Sequence, residues 1–271
     1  MTSALGLTKI EQLKMKLKSN IGLVKKKAII FALIAVLFSA CHSRKQDNDI
    51  FQMDKYMTYN QLLKTKKYKS IEKAIEHKDS VFNLIIFGKS LNRLSGDISQ
   101  LKYLNILELT MNSLTGLPKQ VGNLEYLQSL YLARNEFKDI PEPVLELKRL
   151  KRLDMSENKL KEIPGGLFLI DSLEEVYMKG NKISSLPGEM ADSKKLRILR
   201  LDKNSFDSIP EVIKKVESLQ KLDLSHNDII SIPDWFYKLK NLKMIDLEGN
   251  RINKKQLKTL DEELPNARIN Y

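Results

Sequence analysis

One spacing governs most of this chain. Asparagine returns every 23 residues, at Asn112, Asn135, Asn158, Asn181, Asn204, Asn227 and Asn250. Proline keeps step with it at Pro118, Pro141, Pro164, Pro187, Pro210 and Pro233. A fixed period of about 20–50 residues is the signature of stacked repeats. A unit of this length cannot bury its own apolar side chains, so its neighbours must supply the other wall.

The apolar columns obey the same spacing. One runs Leu107, Leu130, Leu153, Val176, Leu199, Leu222, Ile245, and another runs Leu114, Phe137, Leu160, Ile183, Phe206, Ile229, Ile252. Each unit holds a Leu-x-Leu core whose apolar–polar alternation predicts a short strand. Asn then suits a turn, because its side-chain amide can satisfy backbone groups nearby. Stacked in register, the seven asparagines form a ladder in which each bonds its own turn and its neighbour's. Proline fixes φ and removes a donor, so the return segment cannot pair as a sheet strand. One side is therefore a parallel sheet and the other an irregular or 3₁₀ return, and the stack curves.

These residues resemble the leucine-rich repeat family, with its pattern L-x-x-L-x-L-x-x-N-x-L-x-x-I/L-P. The resemblance covers residues 78–250 as eight units and implies an α/β solenoid with a curved parallel sheet on its concave side. The first unit departs from the pattern, with Lys89 in the Asn slot and Ser95 in the Pro slot. Terminal repeats are atypical in such stacks. Residues 61–77 are expected to cap one end, with helical apolar spacing at Ile71, Ala74 and Ile75. Lys73 occupies the place a capping-box Glu or Gln would take, so no capping box is expected there. Residues 251–271 are expected to close the other end as a helix stopping before Pro265, then a short strand.

The first 40 residues are of another kind. Lys25, Lys26 and Lys27 precede the 11-residue apolar run from Ala28 to Phe38, then Ser39, Ala40 and Cys41. A basic region, an apolar run and small residues describe a secretory signal, and the run falls well short of the roughly 20 residues that span a bilayer. Residues 38–41 resemble the bacterial lipoprotein signal, with Phe38 where Leu is usual and Leu37 one place earlier. That resemblance, to leucine-rich repeat lipoproteins of the Bacteroidetes type, implies cleavage before Cys41 and its lipidation. It also implies membrane anchoring in the cell envelope, at the outer membrane in a diderm bacterium. Two or three acyl chains anchor firmly where one does not. Residues 1–40 are thus expected to be signal, with Met15 as an alternative start, and residues 41–60 a flexible tether.

Charge and chemistry narrow the function. The formal net charge is +12. Residues 1–40 hold seven Lys and one Glu, leaving 46 − 7 = 39 basic and 34 − 1 = 33 acidic residues, or +6, from Cys41 onward. The remaining charges interleave instead of forming the stripe nucleic acid demands, so no nucleic-acid partner is expected. A single Cys permits no internal disulfide. His42, His77 and His226 pair by spacing with no nucleophile or metal-ligand set, and no Gly-rich phosphate loop appears. Asp202, Asp223 and Asp246 could attract a cation, but relief by solvent and Lys221 is the favoured account. No catalytic constellation emerges, so neither enzymatic activity, a cofactor nor a metal is expected.

Alternation fixes which side chains face outward from the sheet. The central outward column is Ile85, Glu108, Tyr131, Asp154, Tyr177, Arg200, Asp223, Asp246. Phe87, Ile106, Tyr131, Tyr177 and Arg200 stand out as the partner-binding patch, because aromatic and Arg side chains dominate binding hot spots and clustered exposed apolar groups signal contact. The expected function is a monomeric, non-enzymatic binding module for a protein, peptide or glycan. One alternative is an intracellular scaffold resembling the Ras-suppressor-like branch of the family, for which the signal would have no use. Another is a hydrolase, which a loss of activity on changing Asp223 or Asp246 would reveal.

Overall fold

A computed structural model of the chain describes residues 59–271 except residue 63. The expected signal, Cys41 and residues 41–58 of the tether lie outside the described residues. Ten parallel strands form one sheet whose spatial order is the chain order. They are β1 (Lys67–Tyr68), β2 (Asn83–Ile85), β3 (Ile106–Glu108), β4 (Ser129–Tyr131), β5 (Arg152–Asp154), β6 (Glu175–Tyr177), β7 (Ile198–Arg200), β8 (Lys221–Asp223), β9 (Met244–Asp246) and β10 (Arg268–Asn270). From β2 to β9 the register is the sequence period, as in Leu107↔Leu130 and Leu199↔Leu222. β2–β9 are the eight repeat strands, and β1 and β10 are contributed by the caps. The cap strand β1 was not expected from sequence, since two residues carry no readable alternation.

The ladder hydrogen bonds explain the asparagine series. The Asn135 Oδ1 accepts from Leu114 N at 2.9 Å, while its Nδ2 donates to Leu109 O at 2.9 Å and Leu132 O at 3.1 Å. Asn158, Asn181, Asn204 and Asn227 repeat this pattern, and Asn250 closes it on Ile229 N and Leu224 O. Asn112 bonds back onto the atypical first unit, accepting from both Lys89 N and Leu91 N. The residue before each of these slots has positive φ: Gly88, Met111, Arg134, Glu157, Gly180, Lys203, His226 and Gly249. This left-handed kink turns the chain out of the strand, and non-glycine residues resist it. The three glycines are the trace it leaves in the sequence.

On the return side lie 3₁₀ turns such as Lys119–Asn123, Gly165–Leu169 and Glu211–Lys215, and one turn of α-helix at Glu142–Leu145. The prolines stand at their N-caps. In the first unit, where Ser95 replaces Pro, its hydroxyl instead accepts from Asp97 N at 3.2 Å. One residue from each return segment is buried in register: Ile98, Val121, Val144, Leu167, Met190, Ile213 and Phe236. This column faces the strand column, and the two bound a continuous core.

The caps consist of α1 (Tyr59–Leu62) and α2 (Ile71–Ile75) before the repeats, and α4 (Lys254–Glu263) after them, α3 being Glu142–Leu145. α1 begins two residues ahead of the boundary read from sequence. The Ser70 hydroxyl does cap α2, accepting from Lys73 N at 3.3 Å, so half of a capping box forms although Lys73 cannot complete it. Asn253 caps α4, which ends before Pro265 as the sequence indicates.

Candidate functional site

The outward strand positions form a face three columns wide, and they are far from equally open. Phe87 is 50% exposed and its neighbour Met111 49%. Tyr131 and Tyr177 are half-buried, and Arg200 is exposed. Ile106 is only 2% exposed and so does not belong to the open patch expected from sequence. It packs with Leu62 of α1 and with Phe82, and Tyr103 and Tyr131 lean against the cluster. Repeat logic could not show this, because the covering side chain comes from outside the repeats.

A polar network crosses β4 to β6. Arg152 donates through Nε to the Glu175 carboxylate at 2.7 Å and through a terminal nitrogen to the Tyr131 hydroxyl at 3.1 Å. The Tyr177 hydroxyl donates to the same Glu175 carboxylate at 2.8 Å. Burial, and then this bond to Glu175, push the Tyr177 phenol up to about 12, so it remains a donor at any physiological pH. Burial opposes the charge on Arg152, but Tyr131 and Glu175 more than offset it, and the guanidinium is held protonated more firmly than usual. Both tyrosine rings are thereby fixed in orientation before any partner arrives.

A second network spans β7 and β8. Arg200 donates to the Asp223 carboxylate at 2.8 and 3.1 Å. The other Asp223 oxygen accepts from the Ser225 hydroxyl at 2.7 Å. Lys179 pairs with buried Asp202 at 3.0 Å, and Asn270 donates to Asp246 at 3.0 Å. Repulsion among the three aspartates is therefore relieved by Arg200, Lys179 and Asn270, in place of the Lys221 expected from sequence. The pairs Arg152–Glu175 and Arg200–Asp223 are not marked by the apolar pattern, although each joins opposite charges 23 positions apart. Among the described residues, no group of three or more His, Cys, Asp or Glu is placed to hold a metal, and no helix is long and apolar enough to cross a membrane.

Two hollows meet at Tyr177. One, of about 390 Å³, is lined by residues that include Lys67, Asn83, Ile85, Glu108 and Tyr131. The other, of about 220 Å³, is lined by Ile198, Arg200, Met244 and Asp246 among others. Burial raises the Glu108 carboxyl above its usual range; a Thr110 hydrogen bond and Lys67 pull it back, and Asp154 adds to the rise. The face thus offers fixed aromatic rings, apolar patches and paired charges, all on short strands held from both sides. Such a surface can recognise a partner by shape and hydrogen bonding.

Comparison with known proteins agrees with this geometry. Family models described as "Leucine-rich repeat region" and "Leucine rich repeat" match residues 88–191 and 194–252 respectively. No curated protein matches the chain. Among solved structures, a leucine-rich repeat protein of Leptospira interrogans is 30% identical with a TM-score of 0.63, over 74% of this chain and 57% of that one. The ectodomain of the Arabidopsis thaliana membrane receptor kinase GASSHO1/SCHENGEN3, in complex with CASPARIAN STRIP INTEGRITY FACTOR 2, is 24% identical with a TM-score of 0.52, over 69% of this chain and 26% of that one. A plant ice-binding protein is 24% identical with a TM-score of 0.56, over 65% of this chain and 60% of that one. The two plant structures share the fold, and this chain spans less than two thirds of each of the three proteins.

Proposed function

Because this chain is a leucine-rich repeat protein, we propose that its concave face binds a protein or peptide partner, with Tyr131, Tyr177 and Arg200 as its fixed anchors and Phe87 as its exposed apolar edge. Domains of this kind are generally protein-interaction modules and typically not enzymes. The observation that carries the reading is the network on β4 to β6, where one buried carboxylate, Glu175, holds both Arg152 and the Tyr177 hydroxyl. Side chains immobilised before contact lose little conformational entropy on binding, and rigid aromatic and Arg groups are the usual centres of binding energy.

The location belongs to the same proposal. Cys41, at the end of the apolar run, is read as the lipidated first residue of a mature protein anchored in the cell envelope. The sequence of residues 25–41 supports this. Intact-mass measurement on membrane-extracted protein checks it: a diacylated or triacylated chain starting at Cys41 is expected, and an unmodified Cys41 in a membrane-free protein would sink the anchor.

The binding face is tested by cross-linking in the native envelope. Combined Tyr177→Ala and Arg200→Ala changes are expected to abolish the cross-linked product while thermal unfolding stays cooperative. Leu169→Ala, on the exposed return side, is expected to leave the product intact. If the double variant still captures the same product at wild-type yield, the concave face is not the site.

A further inference from the structure

The corner of the sheet beneath α1 holds an anomaly. Asn83, the first residue of β2, is 0% exposed, and neither its Nδ2 nor its Oδ1 has a hydrogen-bond partner. The repeat does not call for an amide there, since the same column carries Ile106, Ser129 and Arg152 in the next units. Buried polar groups are nearly always satisfied, and one left without partners disfavours the arrangement that buries it. Asn83 also lines the larger hollow, beside Lys67, Ile85, Ile106 and Glu108.

The same corner is where Leu62 sits, 1% exposed, against Phe82 and Ile106. α1 is a single turn, and Thr65 N and Oγ1 both donate to Leu62 O. The Leu62 side chain adds only apolar contact. That contact hides Ile106, while the Asn83 amide close by stays unsatisfied. The arrangement is one that an amide-bearing competitor would improve.

We infer that Leu62, at the end of α1, is a displaceable cover on the N-terminal corner of the concave face, and that the uncovered corner takes an extended peptide with an aliphatic side chain in the Leu62 seat and a main-chain amide on Asn83. The seat shows its own specificity, because a leucine side chain already fills it. A carboxamide offers an acceptor oxygen and a donor NH₂ together, which matches the N–H and C=O of a peptide backbone. This rests on the reading of the concave face as the binding surface and assigns the chemical class of what binds at its N-terminal end.

The probe is a blocked, fluorescent peptide of residues 59–65, titrated against the full chain. Leu62→Ala and the stronger Leu62→Asp open the cover. Circular dichroism confirms folding, and Leu62→Ala alone suffices if the Asp variant loses its cap. Binding to the opened variant is expected to be at least about tenfold tighter than to the wild type, a step of about 1.4 kcal/mol. The same peptide carrying Asp in the Leu62 place is expected not to bind. Adding Asn83→Leu to the opened variant is expected to weaken binding about tenfold or more. In the otherwise native chain, Asn83→Leu is expected to raise the melting temperature by about 3–6 °C, because it removes an unsatisfied amide. Equal peptide affinity for wild type and Leu62→Ala, or a lower melting temperature for Asn83→Leu, overturns the inference. Neither readout uses the native partner. A failed peptide titration alongside lost capture in the Tyr177 and Arg200 variant therefore removes only the cover. Peptide binding alongside retained capture removes only the partner site.

Discussion

Each ladder asparagine closes backbone groups that its turn leaves open. Asn158 accepts from Phe137 N at 3.1 Å and donates to Leu132 O and Met155 O, each at 3.0 Å. Asn158→Ala strands the buried Phe137 N–H and takes one of two amide donors from each of the Leu132 and Met155 carbonyls, which keep Asn135 and Asn181, and is expected to cost about 1–3 kcal/mol, read as a lowered urea midpoint at unchanged m. Asn158→Asp keeps the acceptor but turns a second oxygen toward two carbonyls, so it is expected to be no better than Ala. A ladder that tolerates Asp would mean the amide NH₂ contributes nothing. Glu108 behaves in the opposite sense. Burial disfavours its charged form in the folded chain, so its folded pKa lies above the unfolded one. The protonated carboxyl favours the fold below the unfolded pKa, and that contribution is lost as pH rises through the folded value. Glu108→Gln is therefore expected to raise the melting temperature at pH 7, with the gain vanishing below the ordinary carboxylate range. A gain that persists at pH 3 would place its origin in packing instead.

Between elements the decisive contacts cross neighbouring strands. Arg152 on β5 and Glu175 on β6 are partners in register, and the Glu175 side chain is largely hidden. Removing only Arg152 leaves the buried Glu175 carboxylate with the Tyr177 hydroxyl and the more distant Arg197, at 3.7 Å, as its remaining partners, whereas removing both charges leaves no carboxylate to satisfy. Arg152→Leu is expected to destabilise by about 2–4 kcal/mol, and Arg152→Leu with Glu175→Leu to recover most of that loss. Additive losses in the double variant would show that the pair is not coupled. Much of this layer could be read from residue numbers, because adding 23 names the cross-strand neighbour. The strands, the asparagine ladder and the outward columns all follow from that period. Contacts that break it do not: Leu62 covers Ile106 from a segment with no repeat. Period arithmetic therefore places Ile106 outward correctly yet says nothing about what lies on top of it. The positive-φ column falls between the two cases, marked by glycine at Gly88, Gly180 and Gly249 and hidden elsewhere under Met, Arg, Glu, Lys and His.

Across the whole domain, each unit touches mainly its neighbours, so stability is a sum of unit and interface contributions and the ends are the weakest places. The C-terminal end depends on α4 and β10. Leu260 and Leu264 are buried against the core beside Leu247, and Arg268–Asn270 pair with Met244–Asp246. Leu257 packs partly against the same core and Gln256 donates to Ile232 O, so Leu260, with Leu264 at the C-cap, forms the buried part of the α4 attachment. Leu260→Ser removes one of them and buries a hydroxyl in its place, at a cost of about 2–5 kcal/mol. In a globular core of high cooperativity that loss would lower protection everywhere alike. In a one-dimensional stack it is expected to release amide protection in β9 and β10 first, while β4 to β6, which carry Tyr131, Arg152, Glu175 and Tyr177, keep theirs. Native-state hydrogen exchange reads both regions in one experiment. A uniform fall in protection would show that the repeats unfold as one body. A fall confined to the end would show that the central strands of the face are insulated from damage at the cap, because the interfaces on either side of them remain whole.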